Sequence, residues 1–178
     1  MNTSRQEAQW VLRAQCHDRE ALELLLRSVQ PSLRRYLCGL VGTRHADDVL
    51  QEVFILVCRK LAWLKTPDLF RPWAFRIASR AGFRHVKREQ RLEHSGDDSR
   101  LEAIPAPDPR PSDQLLQELL NSDALSPPSR AVLVLHFQEE MSLAEVAAIL
   151  EIPLGTVKSR LAFGLAALRK QLAIKRSL

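Results

Sequence analysis

The 178-residue sequence predicts an all-α protein, built as two small helical domains joined by a flexible, acidic, proline-rich linker. Two observations support this fold class. Apolar residues recur with the 3.6-residue period of an amphipathic helix through most of the chain, and no segment alternates like a β-strand. Between the two helical parts lies "LEHSGDDSRLEAIPAPDPRP", residues 92–111, with four prolines and few apolar side chains. Such a stretch cannot fold by itself, because proline removes backbone donors and favours extended chain.

This composition change sets the predicted domain boundaries. We expect a first domain over 1–91, a linker over 92–112 and a second domain over 113–178. A long surface loop inside a single domain is the alternative, but structureless loops of this length are uncommon in compact domains.

In the first domain, the apolar periodicity predicts helices over 10–16, 21–29, 33–40, 46–64 and 72–91. Asp18 has the position of an N-cap for the second of these helices. Pro31, beside Ser32, marks the start of the third, and Pro72 occupies a first-turn position that tolerates a missing backbone N–H.

The second domain is predicted to contain a helix over 112–121, a helix capped by Ser126, and a final pair of helices within "SLAEVAAILEIPLGTVKSRLAF", residues 142–163. Ser142 and Glu145 have the spacing of a capping box, which starts the first helix of the pair. Residues 151–153 interrupt the pattern. The last helix then has a single apolar stripe, formed by Val157, Leu161, Leu165, Leu168 and Leu172.

The face opposite that stripe is predicted to be exposed and to carry mainly small side chains. Small residues let a helix lie deep in a groove, and cations at its edges can reach phosphates on either wall. This is the geometry of a helix-turn-helix, whose second helix enters the DNA major groove. A generic helical hairpin is the alternative. The face comprises Thr156, Ser159, Ala162 and Phe163, flanked by Lys158 and Arg160.

A second surface is strongly basic. Residues 71–91 carry seven basic side chains and one acidic side chain, Glu89. A solvated basic face is the ordinary explanation, but aligned like charges repel, so a polyphosphate partner accounts for them better. On a helix, the spacing of five cations forms one stripe, composed of Arg76, Arg80, Arg84, Lys87 and Arg91.

Just ahead of this stripe, aromatic residues flank a proline-containing loop. Trp63, Phe70 and Trp73 could stack on unpaired bases of single-stranded DNA or pack in the core, and the sequence does not decide between these for Trp63 and Phe70.

A third surface lies on the helix over 46–64, whose core stripe is Ala46, Leu50, Val53, Val57 and Leu61. An exposed isoleucine among carboxylates indicates a partner protein with a basic, partly apolar face, although a single exposed apolar residue needs no explanation. The residues expected to face outward are Asp48, Gln51, Glu52, Ile55 and Arg59.

Catalytic and metal sites are not expected. The five histidines are scattered without an assignable carboxylate spacing, and the three cysteines lack a C-x-x-C partner. We expect these cysteines to be reduced and packed as small hydrophobes. We therefore predict no catalytic residue, no metal and no cofactor. The longest apolar run, 53–58, is far short of the ~20 residues that span a bilayer, and the N-terminus lacks a signal-peptide apolar region, so we predict a cytoplasmic protein.

Four motifs in this order resemble a bacterial RNA polymerase sigma factor of the extracytoplasmic-function group, over about residues 21–172. They are "ADDVLQEVF", "FRPWAFRIASR" leading into a basic helix, "LSPPSRAVLVLHF" and "SLAEVAAILEIPLGTVKSRL". Each motif alone is weak. Residues 155–160 are the most specific block, and the order across a proline-rich linker makes the resemblance strong.

The resemblance implies a two-domain factor that docks on the clamp and flap of core RNA polymerase and directs it to promoters. It implies that Asp48, Gln51, Glu52 and Ile55 face the polymerase. It also implies that the −10 element is captured as an opened strand by Trp63, Phe70, Arg76, Arg80, Arg84 and Lys87. The −35 element would be read as duplex by Thr156, Lys158, Ser159, Arg160, Ala162 and Phe163. An anti-sigma partner is commonly associated with such factors, and the acidic linker could occupy the RNA exit path.

Two departures from the family pattern limit these assignments. Arg80 stands where relatives usually have Asn, and Phe163-Gly164 stands where they usually have Arg-Ala. The first adds a cation to the stripe. The second removes a contact at the end of the reading helix and offers an aromatic ring that could touch a thymine methyl. Gly164 would also weaken that helix by about 1 kcal/mol.

Three other functions remain open from the residues alone. A stand-alone helix-turn-helix regulator would explain 126–178 but leaves the first ninety residues without a role. A nucleic-acid-processing enzyme would need a metal or nucleophile constellation that the sequence does not offer. A helical adaptor that binds only proteins would show no salt-dependent DNA affinity.

Overall fold

The structure is a computed structural model that describes residues 3–93 and 125–175. Both of these parts are helical and neither contains a strand, as predicted. Two short 3₁₀ turns, Leu61–Trp63 and Pro67–Leu69, lie between the last two helices of the first part. The four helices of that part are α1 (Thr3–Gln15), α2 (Arg19–Val41), α3 (Thr43–Lys60) and α4 (Phe70–Glu93). The predicted helix over 112–121 and most of the predicted linker lie outside the described residues.

The second part contains three helices and one π-helical turn. Ser126 caps the first of them by accepting a hydrogen bond from the backbone N–H of Ser129, which confirms the predicted start. This helix widens into a π-helical turn at Val134–Gln138, although a single regular helix was expected. The helices of this part are α5 (Pro127–Leu133), α6 (Leu143–Leu150) and α7 (Leu154–Lys175).

Helix α2 is the centre of the first part and packs against α1, α3 and α4. The five residues predicted as the core stripe of α3 are all buried. The hydroxyl groups of Tyr36 on α2 and Ser79 on α4 lie 2.8 Å apart, so each satisfies the other inside the core. The packing therefore fixes α3 and α4 side by side, and these are the two helices that carry the predicted polymerase-facing and basic surfaces.

The prediction that Pro31 starts a new helix was wrong. Pro31 lies inside α2, which runs without interruption to Val41. A proline inside a helix costs about 3 kcal/mol, because it removes a backbone hydrogen bond and its ring clashes with the preceding turn. Here the proline is on the exposed side, whereas Leu25 and Val29 before it and Leu33 after it are fully buried. Continuous burial of that stripe offsets the local cost.

The prediction that the cysteines are buried was also wrong for two of the three. Cys16 and Cys58 are exposed, and Cys38 is half-buried. The apolar periodicity around them does not require a cysteine to lie on the core side of its helix.

The two parts pack against each other through α2 with α5 and through α4 with α6. The guanidinium of Arg130 on α5 donates to the carbonyl oxygen of Gly39 on α2 at 2.9 Å. Arg35 on α2 donates to the carboxylate of Glu139 at 2.7 Å, and the Glu139 side chain is only 4% exposed. These hydrogen bonds join residues about one hundred positions apart, and periodicity alone could not predict them.

Across 3–93 and 125–175, none of the helices has both the length and the apolar character needed to cross a bilayer.

Candidate nucleic-acid interface

Helices α6 and α7 form the predicted helix-turn-helix. At the start of α6, the backbone N–H of Glu145 donates to the Ser142 hydroxyl at 3.2 Å, and the backbone N–H of Ser142 donates to the Glu145 carboxylate at 2.8 Å. The capping box is therefore present, as predicted. Hydrogen bonds from the hydroxyl and backbone of Ser142 hold the pKa of Glu145 below its ordinary value. Helix α6 ends at Glu151, which adopts the left-handed conformation with φ 56° and turns the chain toward α7.

The free face of α7 lies where the periodicity predicted it. Val157 and Leu168 of the apolar stripe are buried, whereas Lys158, Ser159 and Ala162 are exposed. The Phe163 ring is 73% exposed. The remaining two members of the predicted face, Thr156 and Arg160, are half-buried at its edges. The resulting surface is a ridge of small side chains with one aromatic ring and flanking cations.

Gly164 has a packing role that the sequence did not show. A Cβ atom at this position would lie 2.8 Å from the Cδ1 atom of Leu133, which is fully buried on α5. The absence of a side chain at Gly164 thus lets α7 approach α5 closely. The cost in helix propensity is accompanied by tighter packing beneath the exposed Phe163.

The basic stripe of α4 is partly neutralised by acids from other helices, which the charge count within residues 71–91 could not include. Arg84 forms an ion pair with Glu52 of α3. Arg80 forms a bidentate pair with Glu151 at the end of α6, with nitrogen–oxygen distances of 2.5 and 3.1 Å. Arginine recognises a carboxylate in the same planar, two-pronged manner as it recognises a phosphate. These side chains therefore already hold anionic partners of the kind a DNA backbone offers.

The loop before α4 separates its aromatic residues into exposed and buried ones. Trp63 is 75% exposed, whereas Phe70 is 1% exposed and lies in the core. The expectation that Phe70 contacts DNA does not fit this burial, because its ring presents no face on which a base could stack. Trp63, Trp73 and Arg76 line an open cavity of about 380 Å³, whose far wall includes Glu145 and Ala148 of α6.

The residues of α3 that were predicted to face outward are exposed in the structure. Asp48, Gln51 and Glu52 are exposed, and so is Arg59. The Ile55 side chain is 57% exposed among these polar groups. The face thus carries two carboxylates, one amide, one guanidinium and one apolar side chain.

The structure also brings two histidines that are far apart in the sequence close to the single acidic residue of 71–91. His45 of α3 lies against His85 of α4, with ring centroids 4.7 Å apart, and Glu89 lies one turn beyond His85. Burial, together with the charge of His45, lowers the pKa of His85. The i, i+4 spacing of His85 and Glu89 was visible in the sequence, but the approach of His45 depends on how α3 packs on α4.

Comparisons with known proteins match both parts of the chain. Residues 25–92 match the family Sigma-70 region 2, and residues 123–170 match the family Sigma-70, region 4. The first match covers the helices with the acidic and basic faces, and the second covers the helix-turn-helix.

Three curated relatives are similar over most of this chain. The extracytoplasmic-function (ECF) RNA polymerase sigma factor SigE of Mycolicibacterium smegmatis is 33% identical over 84% of this chain and 60% of its own length. The RNA polymerase sigma-H factor of Pseudomonas aeruginosa is 27% identical over 90% of this chain and 91% of its own length. SigW of Bacillus subtilis, also an ECF sigma factor, is 28% identical over 87% of this chain and 90% of its own length. The chain thus spans three fifths of the first relative and about nine tenths of the other two.

Two solved structures share the fold. CnrH, in complex with the cytosolic domain of CnrY, superimposes with a TM-score of 0.69 at 22% identity, covering 95% of this chain and 98% of CnrH. The sigma factor RpoE of Bartonella quintana, in complex with the anti-sigma factor NepR, gives a TM-score of 0.70 at 22% identity. The match covers 85% of this chain and 96% of RpoE. With both family regions present in order and relatives of one group matched along the chain, this protein belongs to the sigma-70 family, in its extracytoplasmic-function group.

Proposed function

We propose that this chain binds core RNA polymerase and directs it to promoters, reading −35 DNA with α7 and capturing −10 DNA with α4 and the loop before it. It acts in the cytoplasm by binding the polymerase and recruiting it to promoters, and not by catalysis. The observation that supports this most directly is the free face of α7: Val157 and Leu168 on the opposite side are buried, yet the face presents only small residues, cations and one exposed aromatic ring.

We assign duplex −35 recognition to that face. Ser159 and Ala162 are small enough to let α7 lie close to base edges, and Lys158 and Arg160 flank them within reach of phosphates. Thr156 lies at the edge nearest the turn. Phe163 offers an apolar contact to a thymine methyl, where the family pattern that the sequence resembles has arginine.

We assign −10 recognition to Trp63 and the stripe that begins at Arg76. An exposed tryptophan beside cations suits an unpaired strand, because every base has a face that can stack and every nucleotide carries a phosphate. Arg80, Arg84 and Lys87 extend the stripe along α4. Phe70 is left out of this surface because it is buried.

We assign polymerase binding to the exposed face of α3. The acidic side chains of Asp48 and Glu52 suit a basic clamp surface, and Ile55 supplies an apolar contact at the centre of the face. The second domain would contact the flap.

Capture of −10 DNA requires the two ion pairs of the basic stripe to open, and of these two the Arg80–Glu151 pair joins the two parts of the chain. Arg80 and Arg84 are engaged by Glu151 and Glu52, so a DNA strand must displace these carboxylates before its phosphates can take their places. Displacement costs little, since exposed ion pairs contribute only about 0–1 kcal/mol. The compact arrangement is also one that an anti-sigma partner could hold, and the structurally similar RpoE was solved in complex with the anti-sigma factor NepR.

Run-off transcription with core polymerase on a library of genomic fragments tests this function. We expect initiation from a small set of fragments only when the chain is present, and the shared upstream sequences of those fragments would define the −35 and −10 elements. If the chain fails to associate with core polymerase but binds duplex DNA tightly alone, it is a stand-alone helix-turn-helix regulator and the proposal is wrong.

A further inference from the structure

Three potential metal ligands converge where the start of α3 meets the second half of α4. His45 lies in the first turn of α3, and His85 and Glu89 lie one helical turn apart on α4. One ligand atom from each of these residues lies within 4.8 Å of the others. All three side chains are half-buried, so they are neither dispersed in solvent nor sealed inside the core.

The residue types fit a divalent transition metal, and zinc in particular. Zinc in proteins is bound by imidazole nitrogen and carboxylate oxygen at about 2.0–2.2 Å, and three protein ligands plus water form one of its usual tetrahedral sets. Two ligand atoms on a tetrahedral zinc are roughly 3.4 Å apart at those bond lengths. The ligand atoms of the cluster therefore need to approach by about 1.4 Å at most, which is within reach of side-chain rotation.

A second observation indicates that the cluster lacks a partner. The Nε2 atom of His85 is shielded from solvent and makes no hydrogen bond with the described residues. A buried ring nitrogen without a partner is unfavourable, and a metal ion is one group that can satisfy it. The two imidazole rings also lie close together, with their centroids 4.7 Å apart.

The helices hold these ligands in place independently of any metal. Ala46, next to His45, is buried, and Ala81, one turn before His85, is buried on α4. The backbone positions of the ligands are thus fixed by the packing of α3 on α4, and only the side chains have to adjust. A site whose backbone is preorganised in this way loses little conformational entropy when it binds.

We propose that His45, His85 and Glu89 form a Zn²⁺ site, with water as the fourth ligand, that links α3 to α4. The bound ion joins the helix with the polymerase-facing side chains to the helix with the basic stripe. This proposal does not rest on the proposed function, because it concerns metal binding by the folded chain and can be tested without polymerase or DNA.

The test is titration of the full-length chain with ZnCl₂ by isothermal calorimetry, in parallel with CoCl₂ followed by visible absorption. We expect one ion per chain and a tetrahedral cobalt spectrum without a thiolate charge-transfer band, since no cysteine belongs to the site. Glu89→Gln and His45→Asn should each weaken zinc binding by at least about tenfold, because each removes one of three protein ligands. Bound zinc should also raise the midpoint of thermal unfolding of the parent chain and not of these variants.

His17→Asn is the matched control, because it removes an exposed histidine outside the cluster, at a left-handed position that Asn tolerates. It should bind zinc like the parent. Circular dichroism of each variant without metal reports whether the fold is kept, and Glu89→Gln, which preserves the shape of the side chain, remains informative if His45→Asn unfolds. Absence of zinc binding by the parent, or equal binding by the parent and Glu89→Gln, would overturn the proposal, as would a thiolate band in the cobalt spectrum.

Discussion

Arg80, in the middle of the basic stripe of α4, is held by both carboxylate oxygens of Glu151, the residue that ends the first helix of the helix-turn-helix. The two residues are 71 positions apart in the chain. The ion pair joins the surface that we assign to −10 DNA to the turn before α7, the helix that we assign to −35 DNA. The family pattern that this sequence resembles has Asn at this position, and an uncharged Asn could not form the ion pair.

Breaking this pair should release Arg80 for DNA. We expect Glu151→Gln to increase the affinity of the free chain for a short −10 single strand by up to about fivefold, because an exposed ion pair is weak. Fluorescence anisotropy with a labelled oligonucleotide measures this. Glu140→Gln removes the same charge from an exposed residue and serves as the control. Equal gains in both variants would mean that net charge, and not the pair, sets the affinity.

The same ion pair predicts a pH dependence. The hydrogen bond from Arg80 lowers the pKa of Glu151 from its ordinary value of 4.5. Because the folded-state pKa is depressed, the contribution of the pair is fully present above pH 4.5 and is lost as the pH falls through the depressed value. Carboxyl resonances followed by NMR should give a Glu151 midpoint below 4.5, and Arg80→Ala should return it toward that value. An unchanged midpoint in Arg80→Ala would show that the pair is not formed in solution.

The close approach of α7 to α5 predicts that Gly164→Ala destabilises the protein, although alanine is the better helix former. The new methyl group would collide with the buried Leu133 side chain. Overpacking costs about 1–3 kcal/mol and the gain in helix propensity is up to about 1 kcal/mol, so we expect a net loss of about 1–2 kcal/mol. Urea unfolding measures it. Gly155→Ala on the same helix meets no atom within 4 Å and should be neutral or slightly stabilising. If both variants gain stability, the approach is looser than described.

Replacing Lys158 and Ser159 together by Ala should lower transcription from the cognate promoter and leave core-polymerase binding intact. Both side chains are exposed on the free face of α7, so their removal weakens DNA binding without disturbing the core. Run-off transcription and a polymerase pull-down make the two measurements. Lys170→Ala, which removes an exposed charge near the other end of the same helix, is the control. Simultaneous loss of polymerase binding would refute the separation of roles.

Replacing Arg80 and Arg84 together by Ala should slow promoter opening, because two cations that we assign to the opened −10 strand are removed. A base-unstacking fluorophore in the −10 element reports the opening rate. The log–log salt dependence of binding to single-stranded −10 DNA should also become shallower, by about 0.7 for each phosphate that the variant no longer neutralises. The control replaces Arg19 and Arg27, exposed on α2, and should change neither quantity. An unchanged opening rate in Arg80→Ala with Arg84→Ala would count against the placement of the stripe.

Much of the candidate site could be predicted from local sequence. The capping box of Ser142 and Glu145, the buried stripe of α7 and the outward face of α3 all depend on spacings of three and four residues within one helix, and the structure places them as expected. Helix geometry converts such spacings into a face without any knowledge of the neighbouring helices. For the same reason, the exposed positions of Ser159 and Ile55 followed directly from the pattern.

The sequence by itself determined the helical character of the described parts, the capped starts at Asp18, Ser126 and Ser142, and the free faces of α3 and α7. Only the tertiary structure decided which free sides meet: Arg80 with Glu151, Arg84 with Glu52, and His45 with His85. It also decided that Phe70 is buried, that Pro31 lies within a continuous helix and that Gly164 packs against a neighbouring helix. The physical reason is range: periodicity and capping act over one or two turns, whereas these pairings depend on how whole helices pack, which local spacing does not encode.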